Sequence, residues 1–227
     1  MAELTVPQLA ERLDVSVRHA RRLVDSGRFA ARQLPSGEWL IDNDSVIRYE
    51  KRRAPDGRPL DADTAWALLY ELSGVNASHL VSSATYARLR RRIRDMGPEG
   101  IAIAVAGRSN THRFRSANAR KAQADLVSTG RAASNLLDTD LLPDDRRVSG
   151  YVPVGTTITD YALTHFMVPD HTGPDTLYEN TAPGGLTEPL TGVVAADLAL
   201  STDTRESSAG IHALGRLKDQ WLAAHTR

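Results

Sequence analysis

TVPQLAERLDVSVRHARRLVDSGRFAARQLPSGEWLI, residues 5–41, decides how the chain begins to fold. Thr5 is a good N-cap, and Pro7 falls in a first helical turn, where a missing N–H is harmless. Val6, Leu9, Ala10 and Leu13 recur at helical spacing, so a short helix with one apolar face is expected. Asp14, Val15 and Ser16 then make a tight connection. Ser16 is placed to cap a second helix over Val17–Ser26 that stops at Gly27, a preferred residue just past a helix end. Two short helices joined this closely make a helix-turn-helix.

On the second helix Val17, Ala20, Leu23 and Val24 share one side, Arg18, Arg22, Asp25 and Ser26 lie opposite, and His19 and Arg21 flank them. The next residues, FAARQLPSGEWLI, form two short extended runs around Pro35-Ser36-Gly37-Glu38, which have turn chemistry, so a β-hairpin or wing is expected. Asp42, Asn43 and Asp44 offer N-caps to a third helix. In it Val46 and Tyr49 face inward, and Lys51, Arg52 and Arg53 end the segment. Trp39 and Phe29 read as core.

A helix with arginines near its N-terminus fits a major groove, where a guanidinium pairs bidentately with guanine and flanking cations hold phosphates. Arg18 and Arg22 are the candidates for bases, and Arg21 and His19 for the backbone. Ser16, Arg28, the wing tip at Ser36 and Gly37, and Arg52 and Arg53 are further candidate DNA contacts. The bland alternative is a small helical domain whose basic face binds a protein or is simply solvated.

The run LTVPQLAERLDVSVRHARRLVDSGRF, the SGEWLID wing and the SVIRYEKRR helix resemble the excisionase/MerR-like winged helix-turn-helix family, element by element. This covers about the first quarter of the chain. The resemblance implies sequence-specific binding of double-stranded DNA. It does not imply an inducer, since the long dimerising helix and cysteine ligands of metal-sensing MerR proteins are absent.

The 227 residues exceed what such a head needs, so a second domain is expected. The organisation read from the sequence is a head at 1–53, a Pro- and Gly-containing linker at 54–60, and an α+β domain for oligomerisation or partner binding at 61–227. Formal net charge is zero, yet residues 88–131 hold 11 basic and 3 acidic side chains, while 132–227 hold 6 and 13. A basic middle and an acidic end follow, with no non-specific nucleic-acid coat. The absence of cysteine excludes disulfides and thiolate zinc sites. No signal-peptide pattern or membrane-length apolar run is read, so a cytoplasmic protein with no membrane partner is expected. Arg- and Ala-rich, Lys-poor composition fits a high-GC bacterial source.

Beyond the linker, Asp61 or Asp63 caps an apolar helix with Ala65, Trp66, Leu68, Leu69 and Leu72, which must be buried. Ser82 or Ser83 starts a helix to Met96 with Tyr86, Leu89 and Ile93 inward. Its arginines are either a solvated face or a second phosphate-binding surface, with Arg88, Arg91 and Arg92 as candidates. Residues 100–106, GIAIAVA, read as a β-run that forms a hairpin with Thr111–Arg115. Ser116 is read as the cap of a helix with Ala119, Ala122, Leu126 and Val127. Residues 132–137 are open between strand and helix. SGYVPVG reads as a strand, Thr157–Phe166 as a helix, Thr176–Asn180 and Gly192–Ala199 as strands, and Thr204–Ala224 as a helix. The mixture lacks a βαβ rhythm, so α+β is favoured.

A second resemblance rests on order and spacing across residues 59–220: AWALLYELSG, RLRRRI, THRFRSANARKAQADLVSTG, SGYVP, MVPD and VVAADLALSTDTRESSAG. These look like the C-terminal region of actinobacterial proteins that resemble AbiEi-type antitoxins. The resemblance implies a repressor that also counters a nucleotidyltransferase-like toxin protein. No phosphate loop, dinucleotide fingerprint, HExxH or GxSxG elbow occurs, and the adjacent pair Asp144-Asp145 suits no metal site on a strand. The chain is therefore read as no enzyme, with no cofactor and no metal. His165, Asp170 and His171 match no defensible ligand spacing, and Asp197 reads as a cap rather than a catalytic carboxylate. The expected function is a sequence-specific, autoregulating repressor acting as a homo-oligomer on paired half-sites. The alternatives are an excisionase-like architectural cofactor or a ligand-sensing regulator.

Overall fold

The computed structural model describes residues 3–52 and 60–225. The contacts divide the chain into two compact units, Met1–Arg53 and Ala54–Arg227. The linker expected at 54–60 lies outside the described residues except for Leu60. That residue packs against the second unit's core and donates its N–H to the Ala104 carbonyl at 3.3 Å.

The first unit runs β1 (Glu3–Leu4), α1 (Val6–Arg12), α2 (Val17–Asp25), β2 (Ala31–Gln33), β3 (Trp39–Asp42) and α3 (Asn43–Arg52). β3 is central in an antiparallel sheet of order β1-β3-β2. The first strand was not anticipated, because two residues carry no readable alternation. Leu9, Ala20, Ile41 and Val46 are fully buried at the centre of this unit. Phe29 is buried with its ring edge-on to Tyr49 at 5.0 Å. Arg12 grips Glu50 through two hydrogen bonds of 2.9 and 2.8 Å and donates to Asn43 Oδ1 at 2.5 Å, tying α1 to α3.

The second unit contains α4 (Ala62–Leu72), α5 (Ser83–Asp95), α6 (Pro98–Ala104), β4 (Thr111–Ser116), α7 (Ala119–Gln123), β5 (Val127–Ser128) and a 3-10 helix at Gly130–Leu136. It continues through β6 (Ser149–Tyr151), α8 (Ile158–Thr164), β7 (Met167–Pro169), β8 (Asp175–Tyr178), α9 (Thr191–Ala199) and α10 (Thr204–His225). The sheet order is β5-β6-β8-β4-β7, with β6 and β8 parallel and the other neighbours antiparallel. The architecture is α+β.

Two runs read as strands are helices. GIAIAVA falls in α6 and the turn after it, and Gly192–Ala199 lies in α9, so the hairpin expected before Thr111 does not form. A continuous apolar run is compatible with either form when every face is buried, and residues 192–199 are all buried. The helix expected from Ser116 is capped instead by Asn118, spans only Ala119–Gln123, and gives way to β5 at Val127. The ambiguous run at 132–137 is 3-10 helix up to Leu136.

α9 packs along α10 so closely that a Cβ on Gly210 would lie 2.2 Å from the Ala199 nitrogen and 2.7 Å from the Ala195 oxygen. Gly210→Ala should gain about 1 kcal/mol of helix propensity yet lose more to this backbone collision. A net destabilisation of about 2 kcal/mol is expected in thermal unfolding; an unchanged or higher midpoint would mean that the two helices separate freely.

Asp197, read as a cap, sits within α9 and is buried. It pairs with the buried guanidinium of Arg108 and accepts hydrogen bonds from Thr129 Oγ1 at 2.7 Å and the Tyr151 hydroxyl at 3.0 Å. Arg108 also donates to the Tyr151 hydroxyl at 2.8 Å and to the Val105 carbonyl at 3.1 Å. Among the described residues its Nε has no hydrogen-bond partner, but the guanidinium lies 5.4 Å from the Trp66 ring centre. Burial opposes the charged guanidinium, and Asp197 and Tyr151 overcome this and hold Arg108 above the ordinary arginine range. Burial also pushes the Tyr151 hydroxyl well above the usual tyrosine range, against the pull of Arg108.

Candidate nucleic-acid interface

Local caps fix the two helices of the head. The Thr5 N–H donates to Gln8 Oε1 at 2.8 Å while Thr5 Oγ1 accepts from the Gln8 N–H at 3.5 Å, a reciprocal capping box. α1 then buries Val6, Leu9 and Ala10. Asp14 turns the chain with a φ of 52°, a conformation that aspartate tolerates better than most residues. Ser16 caps α2 by accepting from the His19 N–H at 3.2 Å. At the far end the Gly27 N–H bonds the Val24 carbonyl and the Arg28 N–H bonds the Leu23 carbonyl, with Gly27 at a φ of 72°. This is a Schellman ending, which closes the helix and places Arg28 outside it. Helix α2 is thus pinned at both ends.

Ala20 and Val24 face the core, Leu23 is half-buried, and Arg18, His19, Arg21, Arg22 and Asp25 are exposed. Arg21 has a partner in Asp25 at 3.9 Å. Among the described residues neither Arg18 nor Arg22 has an ion pair or side-chain hydrogen bond, so both present free donors from successive turns of one face. Val17, read as part of the packed side, is 53% exposed. A helical side chain leans toward the N-terminus, and at the first helical position no preceding turn of the same helix lies beneath it. Its exposure places an apolar group next to Arg18, a juxtaposition that sequence periodicity hid.

The wing turn is closed by the Leu34 N–H to the Glu38 carbonyl and the Gly37 N–H to the Leu34 carbonyl, both 2.8 Å. Gly37 has a φ of 84°, and nothing lies within 4 Å of where its Cβ would be, so backbone shape rather than space selects glycine there. Ser36 and Gly37 are exposed at the tip, as is Arg28 near the end of α2. Arg32 on the wing strand is committed to Glu3 through two bonds of 3.0 Å. That hydrogen bond holds the Glu3 carboxyl below the usual range. Asp42 proves to be the cap of α3, its Oδ2 accepting from the Ser45 N–H at 2.9 Å. Arg52 ends α3, and Arg53 lies outside the described residues.

In the second unit Arg88, Arg91 and Arg92 are exposed on α5. Arg88 donates to the Ala84 carbonyl and to Thr85 Oγ1, and Arg91 lies 3.8 Å from Asp95. Arg90 and Arg94 turn the other way, over the ring of Trp221. The histidines considered for metal are separated in role. His165 stacks on Tyr161 at 4.3 Å, Asp170 pairs with Arg115 at 2.8 Å, and His171 is an exposed turn residue. Among the described residues no group of three or more His, Asp or Glu side chains is placed to hold a metal ion, and no helix is long and apolar enough to cross a membrane.

The chain matches no curated protein and no solved structure. Residues 3–54 match the family described as a helix-turn-helix domain, the same span that carries the capped helix pair, the wing and α3. The first unit is an excisionase-like helix-turn-helix DNA-binding domain, and the chain has a DNA-binding, regulatory role.

Proposed function

We propose that the protein is a sequence-specific repressor whose α2 enters the major groove of double-stranded DNA. The observation that carries this reading is the pair of partner-free arginines, Arg18 and Arg22, on a helix pinned at both ends. Guanidinium groups with unspent donors are suited to the O6 and N7 acceptors of guanine. Val17, exposed at the start of the same helix, suits a thymine methyl, an apolar contact of the same groove. His19 and Arg21 hold phosphates, joined by the first-turn N–H groups that Ser16 leaves open. Arg28, the wing tip at Ser36 and Gly37, and Arg52 and Arg53 extend the phosphate contacts.

One short helix reads few base pairs, so useful discrimination needs two heads on paired half-sites, and the second unit, from residue 61 onward, supplies self-association. The order and spacing of the sequence stretches quoted over residues 59–220 support the further reading of an autoregulating antitoxin. In it the acidic C-terminal half faces a basic, nucleotidyltransferase-like toxin. Arg88, Arg91 and Arg92 offer a second, weaker phosphate surface.

Binding of the purified full chain to its own upstream DNA, against a scrambled duplex at two salt concentrations, tests the repressor reading. A preference of about 10³ or more for the upstream site, centred on an inverted repeat, is expected. Equal binding to both duplexes, abolished alike by salt, would leave only a non-specific coat. A footprint over several phased direct repeats with strong bending would replace repression by an excisionase-like architectural role.

A further inference from the structure

Among the described residues of the second unit, two buried carboxylates, Glu71 and Asp175, have no ion pair, and Asp175 is taken up by the Ser116 and Val148 N–H groups. Glu71 is 5% exposed near the end of α4. Its Oε1 accepts from the Ala77 N–H and the Tyr86 hydroxyl, both at 2.8 Å, while among the described residues Oε2 accepts only from the Trp221 indole N–H at 3.1 Å. A carboxylate has about four acceptor positions, so Oε2 retains one. Among the described residues Glu71 has no ion pair. Of the nearby cations, Arg90 and Arg94 are held 5.7 and 5.8 Å from the centre of the Trp221 ring, and Arg216 borders the same cleft as Glu71.

This carboxylate forms part of the wall of a cleft of about 500 Å³. Clefts of about 300–1,000 Å³ are the size of small-molecule sites. Leu72, Leu217 and Trp221 supply apolar wall, and Asp138, Arg216 and His225 also border the space. Arg216 donates to the Asp138 carbonyl at 2.5 Å, and His225 stacks on Trp221 at 4.4 Å. A buried carboxylate held by neutral donors alone is harder to maintain than an apolar residue of similar volume. Its place in the wall of a cleft lined by both polar and apolar side chains has a use if a ligand brings a positive charge to it.

We propose that this cleft binds a small organic amine, its ammonium donating to Glu71 Oε2 and its apolar body lying against Leu72, Leu217 and Trp221. The site lies wholly in the second unit, so it stands or falls independently of DNA recognition. The Trp221 indole N–H bonds the same oxygen and is a direct reporter.

In ¹⁵N–¹H spectra of the full chain, 2-phenylethylamine should shift the Trp221 indole resonance saturably and leave those of Trp39 and Trp66 in place. The neutral 2-phenylethanol and the anionic phenylacetate should bind about ten- to a hundredfold more weakly, as expected for losing one hydrogen bond between charged partners. Glu71→Gln should erase the preference for the amine. Ala224→Trp, which fills the mouth of the cleft from an exposed position, should abolish binding with the melting temperature unchanged. This variant and the alcohol comparison decide the matter if Glu71→Gln does not fold. A Trp221 resonance that ignores the amine, equal response to the alcohol, or undiminished binding in Ala224→Trp would each overturn the proposal.

Discussion

Asp197→Ala is expected to destabilise the second unit by about 3–5 kcal/mol, the range for removing one partner of a buried ion pair. The loss comes from what remains. The Arg108 guanidinium stays buried without its counter-charge, and the Thr129 and Tyr151 hydroxyls lose the oxygen that accepts from both. The affected contacts join the segment after α6, β6, the start of the 3-10 helix and α9, so unfolding should spread through the unit rather than remain local. Urea titration followed by tryptophan fluorescence reads this, since Trp66 and Trp221 belong to the second unit and Trp39 to the first. Replacing both partners with apolar residues, Arg108→Met with Asp197→Leu, should recover most of the loss, because no charge is then stranded. A loss below about 1 kcal/mol for Asp197→Ala would show that water or a rearranged partner reaches Arg108.

The second large effect falls on DNA. Arg18→Ala should reduce affinity for the cognate site by about 1–3 kcal/mol and relax the preference at one base position, with little change on scrambled DNA. The side chain is exposed and, among the described residues, makes no hydrogen bond or ion pair, so the fold should be indifferent to its removal. Arg21→Ala should behave differently, weakening all sequences alike and lowering the salt dependence by about one counterion. Competition binding at two salt concentrations separates the two. Equal losses on cognate and scrambled duplexes for Arg18→Ala would assign that arginine to phosphate.

The head was legible because its determinants are local. Thr5 with Gln8, Ser16 with His19, and Gly27 at a helix end are separated by at most a few residues, and each names its own structure. In the second unit α4, α5, α8 and α10 and the strands at Ser149–Tyr151 and Asp175–Tyr178 were legible from caps, turns and spacing. In GIAIAVA and in VVAADLA the apolar content records total burial, which erases the period that would distinguish helix from strand. Contacts that bring Arg108 to Asp197, or Glu71 to Trp221, span 89 and 150 residues and leave no trace in local spacing. Val17 was misplaced for a different reason: periodicity gives the face of a helix, whereas a side chain at the first position has no preceding turn of its own helix beneath it.

The two margins of the second unit's sheet differ from its middle. β5 has only two residues, and β7 ends in Pro169, which has no N–H to offer. Neither margin is a good template for adding a further strand. Growth of fibrils by adding strands at these two margins is therefore disfavoured, whatever the local concentration of the chain.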